Sequence, residues 1–477
     1  MQPHSITLAD VTVAHGVSEV LSGVSLTVGA GSRVGVVGPN GVGKTTLLRL
    51  LAGLEEPERG RIRRSPGLEV GYLPQELDAR PGESVHMYLA RRSDASETRL
   101  ASVAAELGLD PERRLDVSSG GEAARARLAA LLLARYDVYC LDEPTNDLDF
   151  DGLERLERFV QGVRGSVVVV SHDRAFLDRM VDRIVELDEW TGRLREWAGG
   201  WSEYEAARER ARSAEYRRFA EGDERRQEVQ ALLRARRGQA RAHGPGAGRR
   251  GTQALKSKVR QAERMLDRLD TVEKPFEPWE LHLELEPAAR SGDLVVRLER
   301  AVVERGEFRL GPVDLELHRG DRLAVTGRNG SGKSTLLGAF TGTLPLAEGN
   351  RVAGRRVVFG ELEQARARFT VDEPLVEAFG GRQEAARTLL AKFGLGADDV
   401  MRPARTLSPG ERTRAQLALL SARGVNCLVL DEPTNHLDLP AIEELEAALD
   451  GYPGTIVLVT HDRRLLERFG ATREVNL

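Results

Sequence analysis

Two cysteines, Cys140 and Cys427, in a chain of 477 residues cannot build a disulfide framework, and neither has the spacing of a metal-ligand set. Each sits within an apolar run that reads as a buried strand, the pattern of core thiols in a reducing compartment. Long apolar runs are missing as well. Stretches such as Leu128–Ala134 and Val167–Val170 fall far short of the roughly 18–20 residues that span a bilayer. Residues Met1–Asp10 show no basic segment followed by an apolar one, so secretion is not indicated and the expectation is a cytoplasmic protein with no membrane segment. The last absence is local. Between Val229 and Ala262 there are nine Lys or Arg residues and no Asp or Glu. The same stretch has no Phe, Tyr or Trp, which excludes base stacking as its mode of contact.

What is present begins with length and charge. A chain of this size, 41% apolar, exceeds one hydrophobic core and predicts two or three domains. Residues 201–274 hold 19 basic and 12 acidic side chains, +7, so with −5 for the whole chain the remainder carries −12. A basic arm on an acidic body predicts an anionic partner, with nucleic-acid phosphate the best fit. From Trp201 to Arg237 the segment is rich in Ala, Glu, Arg and Leu and lacks proline; Gly222 and Asp223 are its weak point. It predicts a helix of order 50 Å. Gly244–Gly248 ends it, and a second helix over 253–272 returns, with Leu255, Val259, Ala262, Leu266 and Leu269 on one face. The expectation is an antiparallel hairpin with a basic tip. Arg234, Arg236, Arg237, Arg241, Arg249, Arg250, Lys256 and Lys258 are its candidate RNA-contacting residues.

The flanks of this arm repeat. Gly38–Thr45 (GPNGVGKT) recurs as Gly327–Ser334 (GRNGSGKS), and the offset of 289 also relates Gln75 to Gln364, Ser119 to Ser408, Glu143 to Glu432 and His172 to His461. One offset kept by five landmarks means a duplicated domain. The expected boundaries are 1–198 for the first copy, 199–283 for the linker and 284–477 for the second copy.

Within each copy the glycine-rich loop follows a short apolar strand and opens a helix, the context in which GxxxxGK[ST] cradles phosphate. Backbone N–H groups close around the β-phosphate, Lys44 adds a point charge, and the Thr45 hydroxyl can ligate Mg²⁺. Gly38, Asn40, Gly41, Gly43, Lys44, Thr45 and Thr46 form the first cradle; Gly327, Asn329, Gly330, Gly332, Lys333, Ser334 and Thr335 form the second. Ser119, Gly120 and Gly121 open an amphipathic helix and offer a second anion-binding surface. The strand Asp137–Leu141 ends in Asp142 and Glu143, where Asp142 would support the Mg²⁺ shell and Glu143 would orient or deprotonate the attacking water. His172, at the end of the next strand, could bond the γ-phosphate.

Phosphate loop, Gln75, Ser118–Glu122, Asp142–Glu143 and His172, in that order and twice over, resemble the ATP-binding cassette family. Glu-Pro-Thr-Asn followed by Asp-Leu-Asp in one copy and His-Leu-Asp in the other resembles its ABC-F subgroup. The resemblance implies an α/β fold, with two P-loop NTPase cassette domains joined by an α-helical hairpin linker. It implies an ATP hydrolase working as a monomer by intramolecular pairing of its cassettes. Ser408 and Gly410 would face Lys44, and Ser119 and Gly121 would face Lys333. Glu143, Glu432, His172 and His461 would be catalytic; Thr45, Gln75, Asp142, Ser334, Gln364 and Asp431 would hold Mg²⁺. Pro409 replaces a signature glycine, which would make the Lys44 site slower or asymmetric. The aromatic that stacks on adenine in this family aligns with His15 in the first copy and with Glu304 in the second.

For partners the resemblance implies the ribosome, with the linker reaching rRNA and tRNA between the exit site and the peptidyl-transferase centre. The interval from Gln75 to Ser119 equals that from Gln364 to Ser408, so the first cassette lacks the inserted arm of many housekeeping members. The chain ends sixteen residues after His461, without a coiled-coil extension. Both features resemble the antibiotic-resistance branch, and ribosome protection is the favoured expectation over a general translation factor. An ATPase subunit for a separate membrane exporter and a DNA-structure ATPase are the alternatives from other classes.

Overall fold

In the computed structural model, residues 4–16, 18–188, 191–242, 292–306, 308–362, 369, 372–380, 383–407, 409–435 and 437–477 are described. The chain divides into two units, Met1–Trp201 with Leu281–Leu477, and Ser202–Glu280.

In the first cassette the elements run β1 (Ile6–His15), β2 (Ser18–Val28), β3 (Arg33–Val37), α1 (Lys44–Ala52), β4 (Arg59–Arg64), β5 (Val70–Leu73), α2 (Val85–Arg92), α3 (Glu97–Glu106) and α4 (Gly120–Leu133). They continue through β6 (Val138–Asp142), α5 (Phe150–Gly162), β7 (Ser166–Val170), α6 (Arg174–Met180), β8 (Arg183–Leu187) and β9 (Leu194–Ala198). The linker helix is α7 (Trp201–Ala242). The second cassette holds β10 (Leu294–Arg305), β11 (Phe308–His318), β12 (Arg322–Thr326), α8 (Lys333–Thr341), β13 (Glu348–Ala353), β14 (Phe359–Glu361) and α9 (Gln383–Lys392). It ends with α10 (Pro409–Ala422), β15 (Cys427–Asp431), α11 (Leu439–Asp450), β16 (Thr455–Val459), α12 (Arg463–Phe469) and β17 (Arg473–Asn476).

Each cassette joins a parallel sheet to a small antiparallel one. In the first, the order is β5-β6-β7-β3-β8-β9, parallel except for β9; in the second it is β14-β15-β16-β12-β17, parallel throughout. The strands β6 and β7 are buried along their whole length, which is why they read as continuous apolar runs rather than alternating ones. Val138, Cys140, Val168 and Val170 pack in one core cluster with Leu47, Leu48 and Leu51 of α1. Burying each large apolar side chain is worth roughly 1.5–3 kcal/mol, enough to hold sheet and helix at a fixed spacing. The antiparallel sheets, β2-β1-β4 and β11-β10-β13, join the same core clusters as α1 and α8 through Leu21, Val24, Leu310 and Leu317. Both cysteines are fully buried free thiols.

In the second unit α7 runs without interruption past Gly222, to Ala242 rather than Arg237. Its 42 residues correspond to about 63 Å. An isolated glycine costs a helix only ~1 kcal/mol, and Asp223 accepts an i,i+4 hydrogen bond from Gln227 Nε2 at 2.7 Å. The expected return helix over 253–272, with Arg249, Arg250, Lys256 and Lys258, lies outside the described residues, as do Gln364 and Ser408. No helix among the described residues is long and apolar enough to cross a membrane.

Candidate ATP sites

The functional side chains sit at the carboxyl ends of the parallel strands, where an open α/β sheet leaves a crevice. The β3–α1 and β12–α8 connections are the two phosphate loops. Gly43 and Gly332 cap their helices at φ 106 and 103, in the left-handed region, and a Cβ on Gly43 would lie 2.7 Å from Val20 Cγ1. Lys44 Nζ donates to the carbonyls of Gly38 (2.7 Å) and Pro39 (3.0 Å); Lys333 Nζ does the same to Gly327 (2.9 Å) and Arg328 (3.2 Å). Burial lowers the pKa of both lysines, opposed in each case by the glutamate and aspartate at the end of the neighbouring strand.

A cavity of about 430 Å³ brings together Asn40, Gly41, Gly43, Lys44, Thr45, Thr46, Gln75, Asp142, Glu143 and His172, with His15 at its edge. Burial raises the Asp142 pKa, opposed by hydrogen bonds from Thr45 and Tyr72, whose hydroxyl donates at 3.1 Å. In the second cassette Ser334 Oγ donates to Asp431 Oδ2 at 2.6 Å. A hydroxyl against a carboxylate beside a phosphate loop is a hard-oxygen pair that fits Mg²⁺, which is held by one or two such protein ligands plus substrate phosphate.

Glu143 and Glu432 follow directly. Each has a positive φ, 45° and 44°, which costs a non-glycine residue about 1–3 kcal/mol. Each is held there by its own N–H, donated across the sheet to Val170 O (3.0 Å) or Val459 O (2.9 Å). Burial pushes both carboxyls up to about 7, opposed first by Lys44 or Lys333. His172 Nε2 lies 3.1 Å from Glu143 Oε1, and burial with Lys44 pushes its pKa down to about 3. His461 is pushed down to about 4 by burial and Lys333. Its Nε2 lies 3.0 Å from Lys333 Nζ. A lysine can only donate, so His461 Nε2 accepts and Nδ1 carries the proton. Among the described residues Glu432 Oε1, His172 Nδ1 and His461 Nδ1 are buried without a hydrogen-bond partner. Such orphans fit sites completed by a polar substrate and its water.

The cassettes face one another across these sites. A cavity of about 490 Å³ is lined by Ser119 and Gly121 of the first cassette and by Asn329, Gly330, Glu432 and His461 of the second. Gly120 adjoins it as the first residue of α4. Ser119 caps α4 in a capping box with Glu122, its Oγ accepting from Glu122 N at 3.3 Å. A Cβ on Gly121 would lie 3.3 Å from Asn329 Nδ2. At the opposite site Gly410 lies in the first turn of α10, and Pro409 occupies the first helical position, where its missing N–H costs the helix nothing.

Several site residues escaped the sequence reading. Asp149 and Asp438 cap α5 and α11 with one carboxylate oxygen each. The other oxygen accepts the backbone N–H of the opposing phosphate loop, Asn329 at 2.9 Å and Asn40 at 3.1 Å. Their signal was visible as an N-cap but not as a bridge between copies. Arg127 is buried on α4 and donates to the carbonyl of Asp142 at 3.2 Å, whereas its counterpart Gln416 is buried with neither amide atom partnered among the described residues. The second cavity also holds an aromatic that the offset of 289 does not reach. Glu304 is occupied by Arg309 at 2.8 Å, and Phe308, from the other strand of the hairpin, lines a 540 Å³ cavity with Gly332, Lys333, Ser334, Thr335 and Asp431. An aromatic ring is therefore present at both sites, imidazole at one and phenyl at the other.

Residues 21–146 and 310–435 each match the family described as ABC transporter. The tylosin resistance ATP-binding protein TlrC of Streptomyces fradiae is 35% identical over 97% of this chain and 96% of its own. The energy-dependent translational throttle protein EttA of Haemophilus influenzae is 30% identical over 94% of this chain and 87% of its own. Among solved structures, an archaeal ribosome recycling factor aABCE1, crystallised with the ribosomal stalk protein aP1, superposes with TM-score 0.63 at 21% identity, covering 98% of this chain and 87% of that one. That likeness is one of fold.

Proposed function

The chain belongs to the ABC-F group of ATP-binding cassette proteins and is an ATPase, and from this premise we propose that its ATP-bound, closed form binds the ribosome and protects translation from an antibiotic of the large subunit. The observation that carries the reading is the meeting of Ser119 and Gly121 with the opposing phosphate loop at Asn329, which makes the Lys333 site a joint between cassettes, as Asp438 on Asn40 N does for the Lys44 loop. Charge segregation in the linker and the likeness to a tylosin resistance protein support the choice of partner.

In this reading Lys44 and Lys333, with the loop N–H groups, hold the phosphates of ATP, and Ser119, Gly121, Ser408 and Gly410 contact them from the opposing cassette. Thr45, Asp142 and Gln75 hold Mg²⁺ at one site; Ser334, Asp431 and Gln364 hold it at the other. When bound, the ion neutralises charge on the β- and γ-phosphates. Glu143 and Glu432 accept the proton of the attacking water, a role that their burial favours by raising their affinity for it. His172 and His461, kept neutral, donate one ring N–H towards the γ-phosphate. His15 and Phe308 stack on adenine. Loss of the γ-phosphate removes what Ser119 and Ser408 hold, so the cassettes part and the linker geometry changes with them. Arg234, Arg236, Arg237, Arg241, Arg249, Arg250, Lys256 and Lys258 contact rRNA or tRNA between the exit site and the peptidyl-transferase centre, and the protein works as a cytoplasmic monomer.

The likeness to a translational throttle protein favours a general translation factor as the second reading. Cell-free translation inhibited by a large-subunit macrolide separates them. Addition of this protein with ATP restores synthesis under the first reading and leaves uninhibited synthesis unchanged. Rescue that survives Lys44→Ala with Lys333→Ala, or no rescue at all, overturns it.

A further inference from the structure

One more set of contacts joins the cassettes, directly behind residues that line the cavity between them. Arg174, the first residue of α6, donates through both terminal nitrogens to the carboxylate of Glu446 on α11, Nη1 to Oε2 at 3.0 Å. Their side chains are 1% and 3% exposed. The offset of 289 maps this pair onto Arg463 and Glu157, and there Arg463 Nη1 donates to Glu157 Oε1 at 2.5 Å, with 16% and 12% exposure. The pairing is reciprocal, so neither bridge is an accident of one surface.

What each bridge grips gives it meaning. Arg174 follows His172 and Asp173, and Asp173 caps α6 by accepting from Phe176 N at 2.9 Å, which fixes the start of the helix that carries the guanidinium, two residues from His172. Glu446 lies eight residues along from Asp438, whose carboxylate accepts from Asn40 N at 3.1 Å. The helix α11 therefore touches the first cassette twice, at its phosphate loop and beside its histidine, over about 12 Å of helical rise. Its counterpart α5 does the same to the second cassette through Asp149 and Glu157.

We propose that α5 and α11 are rigid struts, and that Arg174 with Glu446 and Arg463 with Glu157 are positioning pairs that couple closure at one ATP site to closure at the other. A strut fixed at both ends cannot let the phosphate loop approach without bringing the histidine segment along. Because each strut starts from the opposite cassette, closing one site aligns the second. The Arg174 bridge is the stronger coupler. Its charges are almost fully desolvated and bidentate, so loss of Arg174 removes two charge-assisted hydrogen bonds between the cassettes, while Glu446 Oε2 keeps Arg468 Nη1 as a donor at 2.7 Å. The Arg463 bridge is wetter and forms a single hydrogen bond, which gives the two sites unequal grip.

The proposal rests on the reading that ATP holds the cassettes together, and the test separates the two. Full-length Glu143→Gln/Glu432→Gln protein is titrated with ATP and closure is followed by small-angle scattering; Arg174→Met, Arg463→Met and Arg174→Lys are then added singly. Hydrolysis by the same three substitutions in the otherwise native chain gives kcat, the half-saturating ATP and the Hill coefficient. The expectation is closure with a Hill coefficient above one in the parent. For Arg174→Met, half-saturating ATP rises about 10-fold or more, the Hill coefficient falls towards one and kcat stays within about threefold. Arg463→Met shifts half-saturation less, and Arg174→Lys, which keeps the charge, lies between. Unchanged half-saturation in Arg174→Met, or a lower melting temperature without nucleotide as its sole effect, overturns the coupling. A parent that never closes with ATP overturns the closure reading itself.

Discussion

Asp173 carries a cost that a single atom exchange removes. It is buried beside Asp462 and Glu157, with Arg463 as partial compensation, and burial pushes its carboxyl from 3.8 up to about 6. A carboxyl whose folded pKa is raised contributes a penalty, absent below the unfolded value and complete above the folded one. Folding therefore loses stability from this group as pH rises from about 4 to about 6, and the loss persists at higher pH. The shift is about 2 units at 1.36 kcal/mol each, so the full penalty is about 3 kcal/mol at pH 7.5 and about 1 kcal/mol at pH 4.5. Asp173→Asn retains the oxygen that accepts from Phe176 N, and asparagine caps a helix as well as aspartate does. Urea unfolding of parent and variant at both pH values is the assay. The variant gains most of that penalty at pH 7.5 and about a third of it at pH 4.5. Equal stability at pH 7.5, or a gain that does not shrink on acidification, refutes the reasoning.

Two further outcomes follow from neighbouring observations. Gln416→Leu replaces two buried amide atoms that have no partner among the described residues with an apolar group of similar size, and raises stability by about 1–2 kcal/mol in thermal unfolding. Phe308→Ala removes the ring beside Gly332 and raises the half-saturating ATP of the Lys333 site several-fold in equilibrium binding to a Lys44→Ala chain.

Local features were legible in the chain and distant ones were not. The phosphate loops, the strand ending in Asp142 and the Ser119 cap depend on residues within a turn or two of one another, so spacing alone located them. Helix α2 went unread because Val85–Arg92 is eight residues with three buried side chains, too short for periodicity to speak. A fixed offset points to Glu304 on β10, whereas the ring that lines the second cavity, Phe308, comes from β11, and offset arithmetic cannot see which strand of a hairpin leans over a loop. The bridges from Asp149, Asp438 and Arg174 join residues 180 to 398 positions apart. They exist because two copies pack face to face, a relation that each copy's own pattern does not contain. The positive φ of Glu143 and Glu432 is likewise imposed by the neighbouring strand end and is written in no propensity of glutamate.

The central claim is that ATP closes the cassettes into a form that binds the ribosome. Cosedimentation of Glu143→Gln/Glu432→Gln protein with 70S ribosomes at moderate salt tests it most directly. Retained ATP is expected to trap the complex in the pellet, ADP to release it, and rising salt to weaken it as contacts from the basic linker are screened. A trapped variant that stays in the supernatant with ATP contradicts the account.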